Sequence, residues 1–248
     1  MTDVNFGHRK VSPEEKTELV GDVFKRVAGR YDVMNDLMSL GTHRLFKRMV
    51  VDSSGVRPGN LVLDLAGGTG DMSKLFGRAV GPSGRVVLAD LNDAMMHVGR
   101  NRLYDQGLAN VALCRTPGEQ LPFKDATFDV ACISFGLRNF TDKDRALSEL
   151  LRVLKPGAPL LVLEFSRPQD PVLKNAYAAF QSLWPLAGKA IVGDSDAYRY
   201  LIESIEVHPD QKALKQMFVD AGFVDVEYHD LAGGIAAIHR GSRPANHA

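Results

Sequence analysis

The chain has 248 residues, which suits one α/β domain with additions and is enough for a full hydrophobic core. Thirty Lys and Arg residues balance thirty Asp and Glu residues, so no overall field favours a nucleic-acid partner. The two cysteines and seven histidines show no metal-ligand spacing, and no apolar run approaches the roughly 20 residues that a membrane span needs. We therefore expect a cytoplasmic protein, a single domain over residues 1–248 and no metal site.

The first fifty residues precede any strand-like pattern. Residues 1–13 are predicted to be disordered or loosely attached. Residues 14–51 follow a helical pattern, in which Leu19, Val23 and Val27 recur four residues apart. Because these helices are not needed to build a sheet, we expect them to form a cover over a ligand cleft.

The most informative motif is a glycine-rich turn between two apolar runs. The run at 61–66 leads to Gly68 and Gly70, and twenty positions after Gly70 the run at 86–89 ends at Asp90. This order predicts a strand, a tight turn, a helix and a second strand. The glycines let the backbone approach a ligand closely, and an acid at a strand end accepts hydrogen bonds from ribose hydroxyls. The motif therefore predicts a site for a nucleoside cofactor.

The residues around this turn favour one kind of cofactor. A dinucleotide site has a third glycine where this chain has Ser73, and Asp71 lies where the predicted helix would receive a pyrophosphate. A carboxylate there repels phosphate but suits a cationic ligand. S-adenosylmethionine carries a sulfonium and an ammonium and no phosphate, so we expect it to be the cofactor. The alternatives are a dinucleotide site, which these residues disfavour, and an ordinary βα turn with incidental glycines.

Strands and helices alternate after the glycine-rich turn. Further strands are predicted at 111–114, 130–135 and 159–165, with helices near 71–80, 93–106 and 142–154. This alternation predicts a parallel, doubly wound sheet, closed by an antiparallel hairpin of strands at 223–228 and 234–240. Such a mostly parallel, seven-stranded α/β sheet with an antiparallel last strand resembles the Rossmann-like fold of class I S-adenosylmethionine-dependent methyltransferases. The sequence Asp64-x-Ala66-x-Gly68-x-Gly70 also resembles the first motif of that class.

The segment 166–208 is too long to be a loop without structure. It contains five large aromatic residues, Tyr177, Phe180, Trp184, Tyr198 and Tyr200. We expect it to be helical and to form a substrate cap over the carboxyl ends of the strands, where ligands bind in such sheets. The alternative is a helical excursion that packs on the body of the domain without contacting a ligand.

A second group of polar residues follows the strand at 130–135. Ser134 lies at its end, at the same predicted sheet edge as the glycine-rich turn, and we expect its hydroxyl to point into the cleft. Arg138 and Asn139 follow in a short loop. Because this loop leads directly from the cofactor edge, Arg138 is a candidate functional residue rather than an ordinary solvated arginine.

Several sequence blocks together resemble the ubiquinone/menaquinone biosynthesis C-methyltransferase family. They are DLAGGTGD, ISFGLRN-x-TDKD, RVLKPG, LVLEFS, YDVMNDLMS-x-G-x-HR and YRYL-x-ESI-x-x-HPDQ. The resemblance runs from about residue 22 to residue 242. A methyltransferase of the same class that acts on a small soluble phenol or a sterol would not need the FGLRN and YRYL blocks. A non-catalytic nucleoside-binding or quinone-scaffold protein is a further alternative.

The resemblance implies a set of cofactor-binding residues. Three positions match cofactor contacts of the family, namely Thr69, Asp90 and Ser134. A further contact falls at Pro117 and Gly118, where the family often has Asn-Ala or Asp-Ala. Because Pro117 has no amide N–H, any contact with the adenine there must come from a carbonyl or from the Gly118 N–H. Tyr31 is expected to cover the methionine end of the cofactor.

The resemblance also implies methylation of a ring carbon of a polyprenyl hydroquinone, which is a demethylmenaquinol, a methoxy-benzoquinol or both. Arg138 is predicted to favour the phenolate that makes this carbon nucleophilic. Asn139 is predicted to orient the ring or a water molecule, and Asp71 to take the proton or to hold the cofactor's ammonium. A lipid substrate implies peripheral contact with the inner face of a membrane. The sequence leaves a homodimer, or a complex with other quinone-biosynthesis proteins, open.

Overall fold

The computed structural model describes residues 3–191 and 195–245, and the chain begins with a two-stranded antiparallel hairpin. Its strands are β1 (Val4–Phe6) and β2 (Arg9–Val11). The Phe6 ring stacks on Tyr200 with 4.4 Å between ring centroids, and Val11 is buried. The prediction of a disordered or loosely attached N-terminus is therefore wrong for this hairpin, because its stability comes from a stacking partner far along the chain.

Three helices follow the hairpin, within the region predicted to be a helical cover. They are α1 (Pro13–Val27), α2 (Tyr31–Ser39) and α3 (His43–Ser53). The start of α1 follows from its sequence, because the Ser12 hydroxyl accepts a hydrogen bond from the Glu15 N–H and Pro13 needs no partner in the first turn. One face of α1 carries Val23 and Val27 into the core.

The centre of the domain is a seven-stranded sheet. Its strands are β3 (Leu61–Leu65), β4 (Arg85–Asp90), β5 (Val111–Arg115), β6 (Val130–Ser134), β7 (Pro159–Phe165), β8 (Val224–Leu231) and β9 (Ala236–Ser242). Their order is β5-β4-β3-β6-β7-β9-β8, with β3 to β7 parallel and β9 antiparallel to both of its neighbours. The predicted fold class is confirmed, including the antiparallel last strand.

Helices cover both faces of this sheet. They include α4 (Asp71–Val80), α5 (Asp93–Asp105), α6 (Lys143–Val153) and α10 (Gln211–Asp220). The central strands β3 and β6 are almost entirely buried, as continuous apolar strands in a covered parallel sheet should be. In the parallel register Leu65 lies beside both Ala89 and Ile133, so the carboxyl ends of β3, β4 and β6 meet at one edge.

The segment 166–208 contains three helices in the described residues. They are α7 (Pro171–Gln181), α8 (Trp184–Ile191) and α9 (Ser195–Val207). Its aromatic side chains pack inward, since Tyr177, Trp184, Tyr198 and Tyr200 are all buried in a cluster with α1 and α2. No helix in the described ranges is long and apolar enough to cross a membrane.

Candidate functional site

A cleft of about 980 Å³ lies at the carboxyl ends of β3, β4 and β6. This volume is at the upper end of the range for small-molecule sites, so a nucleoside cofactor and an aromatic ring fit together. The wall nearest the N-terminus is α1, which contributes Thr17, Val20, Gly21 and Phe24. Among the described residues, none from 166–208 lines this cleft, and its role as a substrate cap therefore stays a prediction.

Asp90 closes the glycine-rich turn through its carboxylate. Oδ2 accepts a hydrogen bond from the Gly68 N–H at 2.9 Å, and Oδ1 accepts one from the Asn92 N–H at 2.8 Å. Burial raises the pKa of Asp90 despite these two bonds. Gly68 and Gly70 have φ values of +52° and +82°, which glycine adopts without strain. Each carboxylate oxygen keeps a second lone pair, so Asp90 can bind ribose hydroxyls while it holds the turn.

The glycine-rich turn and the FGLRN block pack against each other at one contact. Ala66 stands where class I methyltransferases usually have a glycine, and its φ is +57°. A Cβ placed on Gly136 would lie only 2.5 Å from the Ala66 Cβ. Ala66 is therefore accommodated because Gly136 has no side chain. This contact fixes the loop after β6 against the turn after β3.

Pro117 and Gly118 lie where the sequence placed them, on the wall of the cleft. The Pro117 carbonyl already accepts hydrogen bonds from Gln120 N at 3.3 Å and Thr116 Oγ1 at 3.2 Å. A Cβ on Gly118 would lie 2.5 Å from the Phe140 ring, so the glycine lets this ring pack closely against the backbone. Of the two groups considered for the adenine, the Gly118 N–H is therefore the better candidate.

Asn139 and Arg138 are neighbours in the short 3₁₀ helix Leu137–Asn139, but they face different surroundings. Asn139 lines the cleft. Arg138 is buried beside it, with Nη1 2.7 Å from Glu164 Oε1, and its guanidinium lies 5.4 Å from the centre of the Phe165 ring. Glu164 Oε2 also accepts a hydrogen bond from the Arg138 backbone N–H at 3.1 Å. The pair therefore supports the loop that presents Asn139.

Asp71 is paired with two cations that the local sequence does not reveal. Its carboxylate lies 2.8 Å from Lys47 Nζ on α3 and 3.2 Å from Arg102 Nη1 on α5. Burial alone would raise the pKa of Asp71, but the charge and hydrogen bond of Lys47, with the charge of Arg102, hold it below the ordinary value. Asp71 is also absent from the described lining of the cleft. This geometry does not favour a proton acceptor.

Two of the remaining predicted cofactor residues, Thr69 and Ser134, lie near the turn and are not part of the described lining of the cleft. Thr69 is buried, and its carbonyl is 3.5 Å from Arg102 Nη1. Ser134 is half-buried at the end of β6, and its hydroxyl has no hydrogen-bond partner in the part of the chain that the structure describes. Tyr31 begins α2, but its side chain lies outside the described residues. The contacts predicted for these three residues stay predictions.

Tyr200 is a functional candidate that the sequence pattern placed only among the aromatic residues of 166–208. Its hydroxyl donates a hydrogen bond to Asn139 Oδ1 at 2.9 Å, and its ring stacks on Phe6. Burial raises the pKa of Tyr200, so the hydroxyl stays protonated and remains a donor. In the sequence, the YRYL block was the signal that pointed to Tyr200, but this block does not indicate which side chain the tyrosine contacts.

Asp64 lies in the carboxyl-terminal half of β3, and because of it we expect the free energy of unfolding to depend on pH in an unusual way. Burial raises the pKa of Asp64 from 3.8 to about 7, although the Ser73 hydroxyl donates to it at 2.6 Å. Between these values the folded state binds the proton and the unfolded state does not, so stability falls as pH rises and the loss is complete above pH 7. A difference of one pH unit between the folded and unfolded pKa corresponds to about 1.4 kcal/mol.

We therefore expect Asp64→Asn to gain stability relative to the wild type between pH 5 and pH 8. Urea unfolding at several pH values measures the difference in free energy of unfolding. Asp52→Asn, at an exposed position of α3, is the matched control. A difference between Asp64→Asn and the wild type that does not change with pH would contradict this assignment.

The chain is similar over nearly its whole length to known methyltransferases. The model of the ubiE/COQ5 methyltransferase family matches residues 10–243. A ubiquinone/menaquinone biosynthesis C-methyltransferase UbiE from Ectopseudomonas mendocina is 56% identical over 242 residues, covering 97% of this chain and 94% of its own. The protein of the same name from Cellvibrio japonicus is 54% identical over 97% of both chains.

Solved structures at lower identity share the fold. A putative methyltransferase in complex with the Haloferax volcanii Trm112 activator has a TM-score of 0.67 and 18% identity, covering 92% of this chain and 98% of its own. A SAM-dependent methyltransferase from Aquifex aeolicus has a TM-score of 0.61 and 19% identity, covering 85% of this chain and 97% of its own. The sequence match spans nearly the whole chain and includes the turn, Asp90 and the FGLRN loop, and this chain therefore belongs to the ubiE/COQ5 methyltransferase family.

Proposed function

We propose that this protein transfers the methyl group of S-adenosylmethionine to a ring carbon of a polyprenyl hydroquinone in ubiquinone or menaquinone biosynthesis. The observation that carries the proposal is a cleft of the described residues whose lining includes both Gly68 and Asp90 and the pair Asn139 and Phe140. Such a cleft holds a cofactor and an aromatic ring in contact. The names of the relatives from Ectopseudomonas mendocina and Cellvibrio japonicus supply the quinone class of the substrate.

The cofactor is held, in this proposal, by the backbone of the turn and by one carboxylate. Asp90 binds the ribose hydroxyls, the turn from Gly68 to Gly70 admits the methionine portion, and the Gly118 N–H binds the edge of the adenine. When bound, S-adenosylmethionine supplies an electrophilic methyl group on a sulfonium. The residues of this chain contribute alignment, because in-line attack on that methyl group depends on the positions of the two reacting atoms.

The ring is activated when it loses a phenolic proton to water in the cleft, and an unperturbed phenol titrates near pH ~10. We assign Asn139 to orient the ring oxygen, since it lines the cleft and is itself held by Tyr200. Arg138 is buried next to Asn139 and stays paired with Glu164, and its positive charge favours the phenolate electrostatically. We assign Asp71 to hold the turn in place with Lys47 and Arg102, rather than to take the proton.

The prenyl tail of the substrate implies contact with a membrane surface. Three apolar side chains on or beside α7 and α8 support this, since Val172, Leu183 and Leu186 are each more than half exposed. We propose that this surface meets the lipid while the ring enters the cleft. A homodimer, or a complex with other enzymes of the pathway, is a further hypothesis on which the proposed reaction does not depend.

Methyl transfer from labelled S-adenosylmethionine tests the proposal directly. Short-chain demethylmenaquinol and methoxy-benzoquinol are offered separately under reducing conditions, and we expect turnover of at least one. A long-chain quinol in vesicles then tests contact with lipid. If calorimetry shows that the cofactor binds and neither quinol is methylated, the substrate assignment is overturned while the cofactor site stands.

A further inference from the structure

A second, smaller pocket of about 250 Å³ lies beside the loop that carries Asn139, because Arg138 and Thr141 of that loop line it. It is formed where β1, β2, α1, the start of α6 and the end of α9 come together. Its polar lining includes Asn5, Lys10, Lys16, Lys143 and His208. The proposed methyl-transfer chemistry uses none of these residues.

The lining of this pocket is rich in positive charge. Lys16 is buried and Lys143 is half-buried, and both donate to the Phe140 carbonyl, at 2.7 Å and 3.5 Å. Burial, followed by the charge of Lys143, lowers the pKa of Lys16 to about 8. Lys10 adds a third ammonium, whereas Asp3 is the one acid of the described lining. The three ammonium groups therefore exceed the negative charge in the lining itself.

Acidic side chains outside the lining also act on these lysines. Arg138 lines the pocket too, but Glu164 already pairs with it. Glu119 raises the pKa of Lys16, and Glu164, Asp144, Glu119 and Asp142 raise that of Lys143, yet burial outweighs these acids at both lysines. Folding thus brings buried cations close together, which costs free energy, and a bound anion would lower this cost.

His208 provides an independent indication of a ligand. Its side chain is buried against the pocket, and within the described residues neither ring nitrogen has a hydrogen-bond partner. Burial, followed by the charges of Lys143 and Arg138, lowers the pKa of His208 well below its ordinary value, so the ring is neutral. A neutral imidazole carries one N–H, and a buried N–H without an acceptor is costly.

We propose that this pocket binds a phosphate-class oxyanion, held by Lys10, Lys16 and Lys143 and by the N–H of His208. A tetrahedral dianion suits the site because its oxygens accept charge-assisted bonds from donors on several elements at once. The volume accommodates a single phosphate group with water. Bound there, the anion links the N-terminal hairpin to the loop of Phe140, and so to the side chain of Asn139 in the cleft.

Titration of the full-length protein with inorganic phosphate tests this proposal. Calorimetry in chloride buffer of matched ionic strength is expected to show saturable binding below about 10 mM. Lys143→Gln should weaken this binding by about tenfold or more, while Lys124→Gln, the same change at an exposed lysine elsewhere, should leave it unaltered. Equal affinities of the two variants would overturn the assignment of the pocket.

Two further measurements distinguish phosphate binding in this pocket from phosphate binding in the large cleft. Saturating S-adenosylhomocysteine should leave the phosphate affinity unchanged, and competition between the two would place the phosphate in the large cleft instead. ¹⁵N NMR of the histidine rings should show a phosphate-dependent shift of His208. Lys10→Ala should also lower the affinity, and because Lys10 is exposed, the pocket remains testable if Lys143→Gln fails to fold. Tighter binding of acetate than of phosphate would contradict the ligand class.

Discussion

Replacing Arg138 with Ala is expected to lower the free energy of unfolding by about 3–5 kcal/mol, because it leaves the buried carboxylate of Glu164 without its cation. Chemical denaturation measures this loss. Arg44→Ala is the matched control, since Arg44 forms a similarly short pair with Asp36 but is two-thirds exposed, and we expect it to change stability by less than about 1 kcal/mol. Similar losses in the two variants would contradict the burial argument.

A double variant of this ion pair distinguishes two roles of Arg138, namely support of the loop and stabilisation of the phenolate. The double variant Arg138→Met with Glu164→Gln removes both charges and should recover most of the stability. If Arg138 favours the phenolate, the double variant will still have a kcat lowered by about 100-fold or more. Recovery of kcat to within about threefold of the wild type would limit Arg138 to a structural role.

Gly136→Ala is expected to reduce kcat/KM by about 100-fold, because its Cβ would meet the Ala66 Cβ at 2.5 Å and push the loop that carries Asn139 out of position. The overpacking should also cost about 1–3 kcal/mol of stability. The backbone itself accepts alanine, since the φ of Gly136 is −116°. The expected loss therefore arises mainly from the contact with Ala66, since the next nearest atom, Ile133 Cγ2, is 3.3 Å away.

A second substitution provides the control for this prediction. Ala66→Gly removes the opposing methyl group, so the double variant Ala66→Gly with Gly136→Ala should regain most of the lost activity. Ala66→Gly alone should leave activity near that of the wild type, because it also relieves a left-handed alanine. Additive losses in the double variant would show that the two positions act independently, and the contact would not explain the effect.

The sequence predicted those parts of the fold and site that depend on local spacing. The parallel sheet follows from alternating apolar runs and amphipathic helices, and the position of Asp90 beside the glycine-rich turn follows from the spacing of two strand ends. The cap that Ser12 forms at the start of α1 is a local feature of the same kind, since a cap requires only the residues next to it. Such features need no knowledge of distant parts of the chain.

The features that could not be predicted from the sequence depend on contacts between distant segments. From the local sequence, Asp71 was predicted to face a cationic ligand. Its actual partners, Lys47 and Arg102, lie 24 and 31 residues away in the chain, so the local sequence does not reveal them. The aromatic residues of 166–208 suggested a substrate wall, but apolar rings gain as much by packing into a core. Only the assembled structure shows that Tyr200 turns its hydroxyl to Asn139.

The hairpin at the N-terminus also affects the order in which the protein acquires activity during synthesis. The His8 N–H donates to Glu203 at 3.3 Å, and these two residues are 195 positions apart in the chain. The hairpin must therefore wait until residue 203 has been synthesised before it can form this contact. Contacts of such long sequence separation form late. A nascent chain that already has its parallel strands β3 to β7 would still lack the Tyr200 contact that orients Asn139, and would become active only after α9 has been synthesised.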